Sequence, residues 1–147
     1  MRTLRKSTGF SLIEIMVVLA IMGLLAAVVA PNVMNALSGG RIQKAKADFA
    51  NIETALKMYK LDNFVFPTTE QGLEALVSPP GTAPEPKNWR KDGYLSKLPK
   101  DPWGNTYLYL SPGESQPYDI YTLGADGLNG GVDDAADISI WDEADST

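Results

Sequence analysis

Polar and apolar positions divide this chain unevenly. Across residues 11–30 only Ser11 and Glu14 are polar. Twenty residues at ~1.5 Å each span ~30 Å, the hydrocarbon thickness of a bilayer. Past Pro31 the pattern changes rather than stops. Ile42, Ala45, Phe49, Ile52, Leu56 and Tyr59 recur at spacings of three and four, which describes one amphipathic helical face. Arg41, Lys44, Lys46, Asp48, Lys57 and Lys60 fall on the opposite face. One helix over about residues 10–61 follows, roughly 80 Å if straight. Pro31 lacks a backbone donor, so a kink or local melting is expected there, and Gly39-Gly40 is a second weak point. Asp62-Asn63 should end the helix.

Beyond it the pattern is short and punctuated. Thr68 or Thr69 can cap a short helix from Glu70 to about Val77. Residues 78–93, "SPPGTAPEPKNWRKDG", form a Pro-rich loop too long for a plain connector. "DPWGN" at 101–105 reads as a turn, and Trp103 in it as an aromatic anchor to the core. Strands are expected at 107–110, within "YDIYTLG", and at 137–141. Their tyrosines, Tyr107, Tyr109, Tyr118 and Tyr121, suit sheet packing. The fold class is α+β: a long N-terminal helix packed on a small antiparallel sheet.

Composition limits the chemistry. The chain of 147 residues has no Cys and no His. Disulfides, Ser-His and Cys-His catalysis and His-zinc sites are thereby excluded, and only carboxylate or Lys chemistry remains to an enzyme. The net charge of −5 is unevenly laid out. Arg2, Arg5 and Lys6 make a basic N-terminus, while no Lys or Arg follows Lys100 and ten acids lie from Asp101 to Asp145. Such an acidic third argues against nucleic acid and for solubility or hard cations.

The basic flank should stay cytoplasmic and send the remainder across the membrane. Three fates of the apolar run are consistent with it: a secretory signal cut after "AVVA", an uncleaved anchor, or cleavage after Gly9 that leaves the run in the mature chain. Glu14 bears on the choice. Near the bilayer centre an acid costs on the order of 3 kcal/mol, less if it snorkels. A signal's apolar region has no use for it. Cleavage after Gly9 would create an amine at Phe10, with which a neighbour's Glu14 could pair. A snorkelling glutamate without a partner is the plainer alternative.

Residues 123–137, "LGADGLNGGVDDAAD", hold four Asp, one Asn and four Gly. Carboxylates this dense repel unless neutralised. Calcium takes six to eight oxygens from carboxylates and carbonyls, and glycine lets a loop fold around it. The spacing is no EF-hand. Counted from Asp126, Gly131 sits at the sixth position, but Leu128 holds the third and Asp137 the twelfth. Calcium would staple a Cys-free domain with a small core; the plain alternative is a solvated acidic turn.

"GFSLIE", residues 9–14, before an apolar run resembles the leader junction of type IV pilins and pseudopilins. "LPKDPWGNTYLY" and "YTLGADGLNGG...ADISIW" narrow this to a close resemblance to the major pseudopilins of type II secretion systems, over nearly the whole chain. No C-terminal Cys pair of the kind many type IV pilins carry is present. The resemblance implies a type IV pilin-like fold with a metal-binding loop. It implies residues 1–9 as a leader, 10–30 as a transmembrane and filament-core helix, and 31–147 as a periplasmic domain. A prepilin peptidase would cut after Gly9 and methylate Phe10, and Glu14 would serve assembly.

Partners implied are further copies in a helical pseudopilus, minor pseudopilins, the prepilin peptidase, an inner-membrane assembly platform and, before assembly, lipid. The resemblance also implies a structural calcium ion. Its ligands, carried over by motif, are Asp126, Asp133, Asp134 and the backbone oxygens of Leu123 and Leu128, with Asp137 a ligand or a support. The competing functions are a type IV pilin for adhesion or motility and a monomeric anchored periplasmic calcium-binding domain. An enzyme is not expected, since the acidic cluster reads as a staple rather than a catalytic dyad.

Overall fold

The protein is described here by a computed structural model, which covers residues 9–142. The basic N-terminal flank and all of the leader except Gly9 lie outside the described residues. The chain divides into two compact units, one up to Leu37 and one from Ser38.

Helix α1 runs Leu12–Asn63, 52 residues. Its start is a capping box: the Ser11 amide donates to Glu14 Oε2 at 2.8 Å, and the Glu14 amide donates to Ser11 Oγ at 3.3 Å. Two amides left orphaned at a helix start are thus satisfied by one reciprocal pair. In the first unit the apolar side chains face outward. Leu12, Leu19, Leu24 and Val28 are each more than 60% exposed. The backbone stays helical through Pro31 and Gly39-Gly40, so the melting expected at Pro31 does not occur. A proline removes one hydrogen bond, and the turns on either side can carry the helix past it.

In the second unit, the stripe of Ala45, Phe49, Ile52, Leu56 and Tyr59 is buried, joined by Ala55. Ile42, expected in this stripe, is 36% exposed; it lies beyond the rim of the core that begins at Ala45. The helix ends at Asn63, as the sequence suggests. Phe64 follows at φ 67°, a left-handed residue whose amide donates to the Lys60 carbonyl at 2.7 Å. That is an αL stop made by a residue other than glycine.

The core partners of the helix are Leu73 and Leu76 and a three-stranded antiparallel sheet. Its strands are β1 (Leu108–Leu110), β2 (Asp119–Thr122) and β3 (Ile138–Ser139), in that order. Tyr109 faces Ile120 across β1 and β2, and Thr122 faces Ile138 across β2 and β3. These four residues point inward, an alternation that gives the sheet one buried face.

The tyrosines do more than pack. The Tyr107 hydroxyl donates to Asp48 Oδ2 (2.8 Å) and the Tyr118 hydroxyl to Glu53 Oε1 (3.1 Å), tying the sheet to acids on α1. The Tyr109 hydroxyl donates to the Pro67 carbonyl, and burial pushes its pKa up to about 12. Burial and the neighbouring acids raise Tyr107 and Tyr118 as well, so all three remain neutral donors.

The short helix expected from Glu70 to Val77 is only a 3-10 turn, Leu73–Leu76. Gly72, at φ 63° and ψ −171°, breaks helical continuity before it. Gly72 is the N-cap residue of that turn and no side chain caps it, so neither Thr68 nor Thr69 caps the element expected of them. Thr68 instead closes the turn that precedes it. The Thr68 hydroxyl accepts from the Gln71 amide (3.2 Å) while Gln71 Oε1 accepts from the Thr68 amide (3.1 Å). The Pro-rich loop is pinned rather than free. Gln71 Nε2 donates to the carbonyls of Thr82 and Pro84, and Trp89 Nε1 donates to Ala75 O. Arg90 pairs with Asp62, which holds that carboxyl below its usual pKa.

Candidate assembly segment and acidic loop

The first candidate site is the start of α1. Glu14 is exposed, and with Phe10, Ile13, Val17 and Val18 it lines an open, mostly apolar concavity. By length and composition α1 is long and apolar enough to cross a membrane, and none of its most apolar stretch is buried. In water a surface this apolar is a site for lipid or for other helices. The reciprocal bonds with Ser11 give Glu14 a role that the sequence reading missed, although Ser-x-x-Glu before an apolar run is its known signature.

The second is the loop between β2 and β3. The turn at "DPWGN" sets its base. Asp101 is 3% exposed. Its Oδ1 accepts from the amides of Trp103 (3.0 Å) and Asn105 (2.7 Å), and its Oδ2 accepts from the Thr122 hydroxyl (2.5 Å). Thr122 closes β2 beside Ile138 of β3. One buried carboxylate thus fixes the strand ends from which the acidic loop leaves. Trp103 packs against the core as expected, although its buried indole N–H finds no partner among the described residues.

Within the loop the acids are placed differently. Asp126 is exposed, and its Oδ1 accepts from the Leu128 amide at 3.0 Å. Asp133 begins the 3-10 turn Asp133–Ala135 at φ 52°. Asp137 Oδ2 accepts from the Gly130 amide at 2.9 Å. Leu123 is half-buried and the Leu128 side chain exposed. Asp134 is the loop acid paired with a cation among the described residues: its Oδ2 meets Arg41, and its Oδ1 is buried without a partner. The loop is folded tightly on itself. A Cβ on Gly131 would lie 2.3 Å from Ala135 O, and Gly124, Gly127, Gly130 and Gly131 all take positive φ. Among the described residues no three acidic side chains converge closely enough to hold a metal by themselves.

Comparison with known proteins separates the readings. Residues 32–141 match the family described as Type II secretion system (T2SS), protein G, and residues 4–30 match the prokaryotic N-terminal methylation motif. The chain belongs to the type II secretion protein G family. It is similar to the type II secretion system core protein G of Pseudomonas aeruginosa, 59% identical over 138 residues, with 94% of this chain and 97% of that protein covered. The core protein G of Vibrio cholerae serotype O1 is 54% identical over 145 residues, covering 99% of each. The major pseudopilin of the type 2 secretion system of enterohaemorrhagic Escherichia coli, a crystal structure, is 47% identical. It aligns with a TM-score of 0.68 over 76% of this chain and 95% of that one. A type II pseudopilin subunit therefore takes precedence over a type IV pilin or a monomeric domain. The long helix and the three-stranded sheet are the pseudopilin fold.

Proposed function

We propose that this protein G family member polymerises into a periplasmic pseudopilus that drives type II secretion across the outer membrane. The observation that carries the proposal is helix α1. Its first part exposes an apolar surface whose acidic interruption is Glu14, while the residues from Ala45 onward pack a folded unit. The apolar segment holds the subunit in the inner membrane, with its basic flank cytoplasmic and its folded unit periplasmic. Cleavage after Gly9 and methylation of Phe10 by a prepilin peptidase prepare it. An assembly platform then transfers it from lipid to the growing filament, which minor pseudopilins complete. The mass of the mature N-terminal peptide tests this sequence of events. Methylated Phe10 is expected, whereas an N-terminus at Pro31 or an intact Met1 would overturn it.

A structural calcium ion in the 123–137 loop belongs to the same proposal. The donor set suits it: the unpartnered buried oxygen of Asp134, the carboxylates of Asp126 and Asp133, and the carbonyls of Leu123 and Leu128, with Asp137 as ligand or support. Since the acids do not gather by themselves, backbone oxygens and water must complete the shell. Bound there, calcium would neutralise the loop and cross-link it. The glycines and the Ala125 amide, which donates to Asp134 O at 2.8 Å, fold the loop around its acids.

A further inference from the structure

The Arg41–Asp134 pair joins α1 to the acidic loop across 93 positions of sequence. Three features of Asp134 matter together. Its backbone carbonyl accepts from the Ala125 amide, which fixes the main chain. Its Oδ2 is taken by the Arg41 guanidinium, and its Oδ1 is shielded from solvent with no hydrogen-bond partner. A shielded carboxylate oxygen without a partner is costly unless something binds it. The other loop acids are not held this way: Asp126 and Asp137 accept from amides of their own loop.

We infer that Arg41 is a positioning residue for the loop cation: by holding Oδ2 of Asp134 it fixes the carboxylate so that Oδ1 alone is offered to a divalent cation. This rests on the calcium reading proposed above. A free aspartate can rotate and offer either oxygen or both, and ordering it on binding costs affinity. The planar guanidinium suits the task because its N–H directions are fixed and it is less strongly hydrated than an ammonium. Partners that orient a ligating carboxylate are worth ten- to a hundredfold in metal affinity. Arg41 lies about one helical turn before Ala45, where α1 first buries a side chain in the core, so the loop is tied to the helix next to the packed body of the unit.

Electrostatics alone predicts the opposite sign. A guanidinium beside a metal ligand repels the metal, so a competing Arg41 would weaken binding and its removal would tighten it. The sign of the change therefore decides between the roles. The experiment is calorimetric titration of the chelator-treated full-length mature chain, in detergent, with calcium chloride, and a melting curve for each state. Wild type should bind calcium and melt higher with it than with chelator, and Asp126→Ala should lose both effects. Arg41→Gln should bind about tenfold to a hundredfold more weakly, with Arg41→Lys intermediate. Far-UV circular dichroism confirms that each variant is folded, and Arg41→Lys keeps the test open if Arg41→Gln is not. Equal or tighter binding by both Arg41 variants beside a binding wild type would overturn the positioning role and leave the calcium reading standing. No binding by wild type, with identical melting temperatures in calcium and in chelator, would overturn both.

Discussion

Cells making Glu14→Ala should process the chain normally and build no pseudopili. The reason lies in what the carboxylate meets before and after assembly. In lipid an acid near mid-bilayer costs on the order of 3 kcal/mol. In the isolated chain that cost is offset in part by the capping box, since Glu14 already accepts the Ser11 amide. The cleavage proposed after Gly9 would place a new amine at Phe10, one residue before Ser11, for a neighbouring subunit's Glu14 to pair with. Pairing across subunits in a low-dielectric filament core is stronger than a neutral hydrogen bond. Capping and latching can be told apart with Glu14→Gln. Glutamine completes a capping box as well as glutamate does, but it carries no charge. Assembly should fail in Glu14→Gln as it does in Glu14→Ala, as seen by electron microscopy of sheared pseudopili. Normal filaments from the glutamine variant would reduce Glu14 to a helix cap.

Asp101→Ala should destabilise the folded unit by about 3 kcal/mol in denaturant unfolding. Truncation strands three donors at once: the amides of Trp103 and Asn105 and the hydroxyl of Thr122, which is 2% exposed. Thr122 also pairs with Ile138, so the loss should spread to β3 and loosen the base of the acidic loop. Asp101→Asn should cost much less, about 1 kcal/mol, because its oxygen still accepts both amides and the threonine hydroxyl can turn to accept from its amide nitrogen. Equal losses in the two variants would mean that the charge, not the hydrogen-bond geometry, holds the turn.

The long helix, its buried stripe and the places of the strands along the chain were legible because each rests on periodicity. Apolar spacings of three and four put Phe49, Ile52 and Leu56 on one face, and β-favouring runs marked the strands, while the pairing of Tyr109 with Ile120 on the buried face came from the structure. What escaped rests on contacts distant in sequence or on single dihedral angles. Arg41 reads as one charge among several on a solvated face, and only the fold brings it to Asp134. The shortening of the 70–77 helix to one turn is set by the backbone at Gly72, where helix propensity says little. Asp101 lies in a motif whose most conspicuous side chain is Trp103, although Asp at the first position of a turn is a common hydrogen-bond acceptor. The Ser11–Glu14 box was fully written in the sequence, as Ser-x-x-Glu at the head of an apolar run. The acidic loop stands between these cases. Its composition suits a cation, while the convergence of particular oxygens depends on the fold.

On the proposal above, this chain is the working subunit of a type II pseudopilus. Deletion of its gene in its own bacterium, followed by assay of a type II substrate in medium and periplasm, tests that most directly. The expected result is substrate held in the periplasm, with export restored by the wild-type gene and not by Glu14→Ala. Undiminished export from the deletion strain would contradict the account.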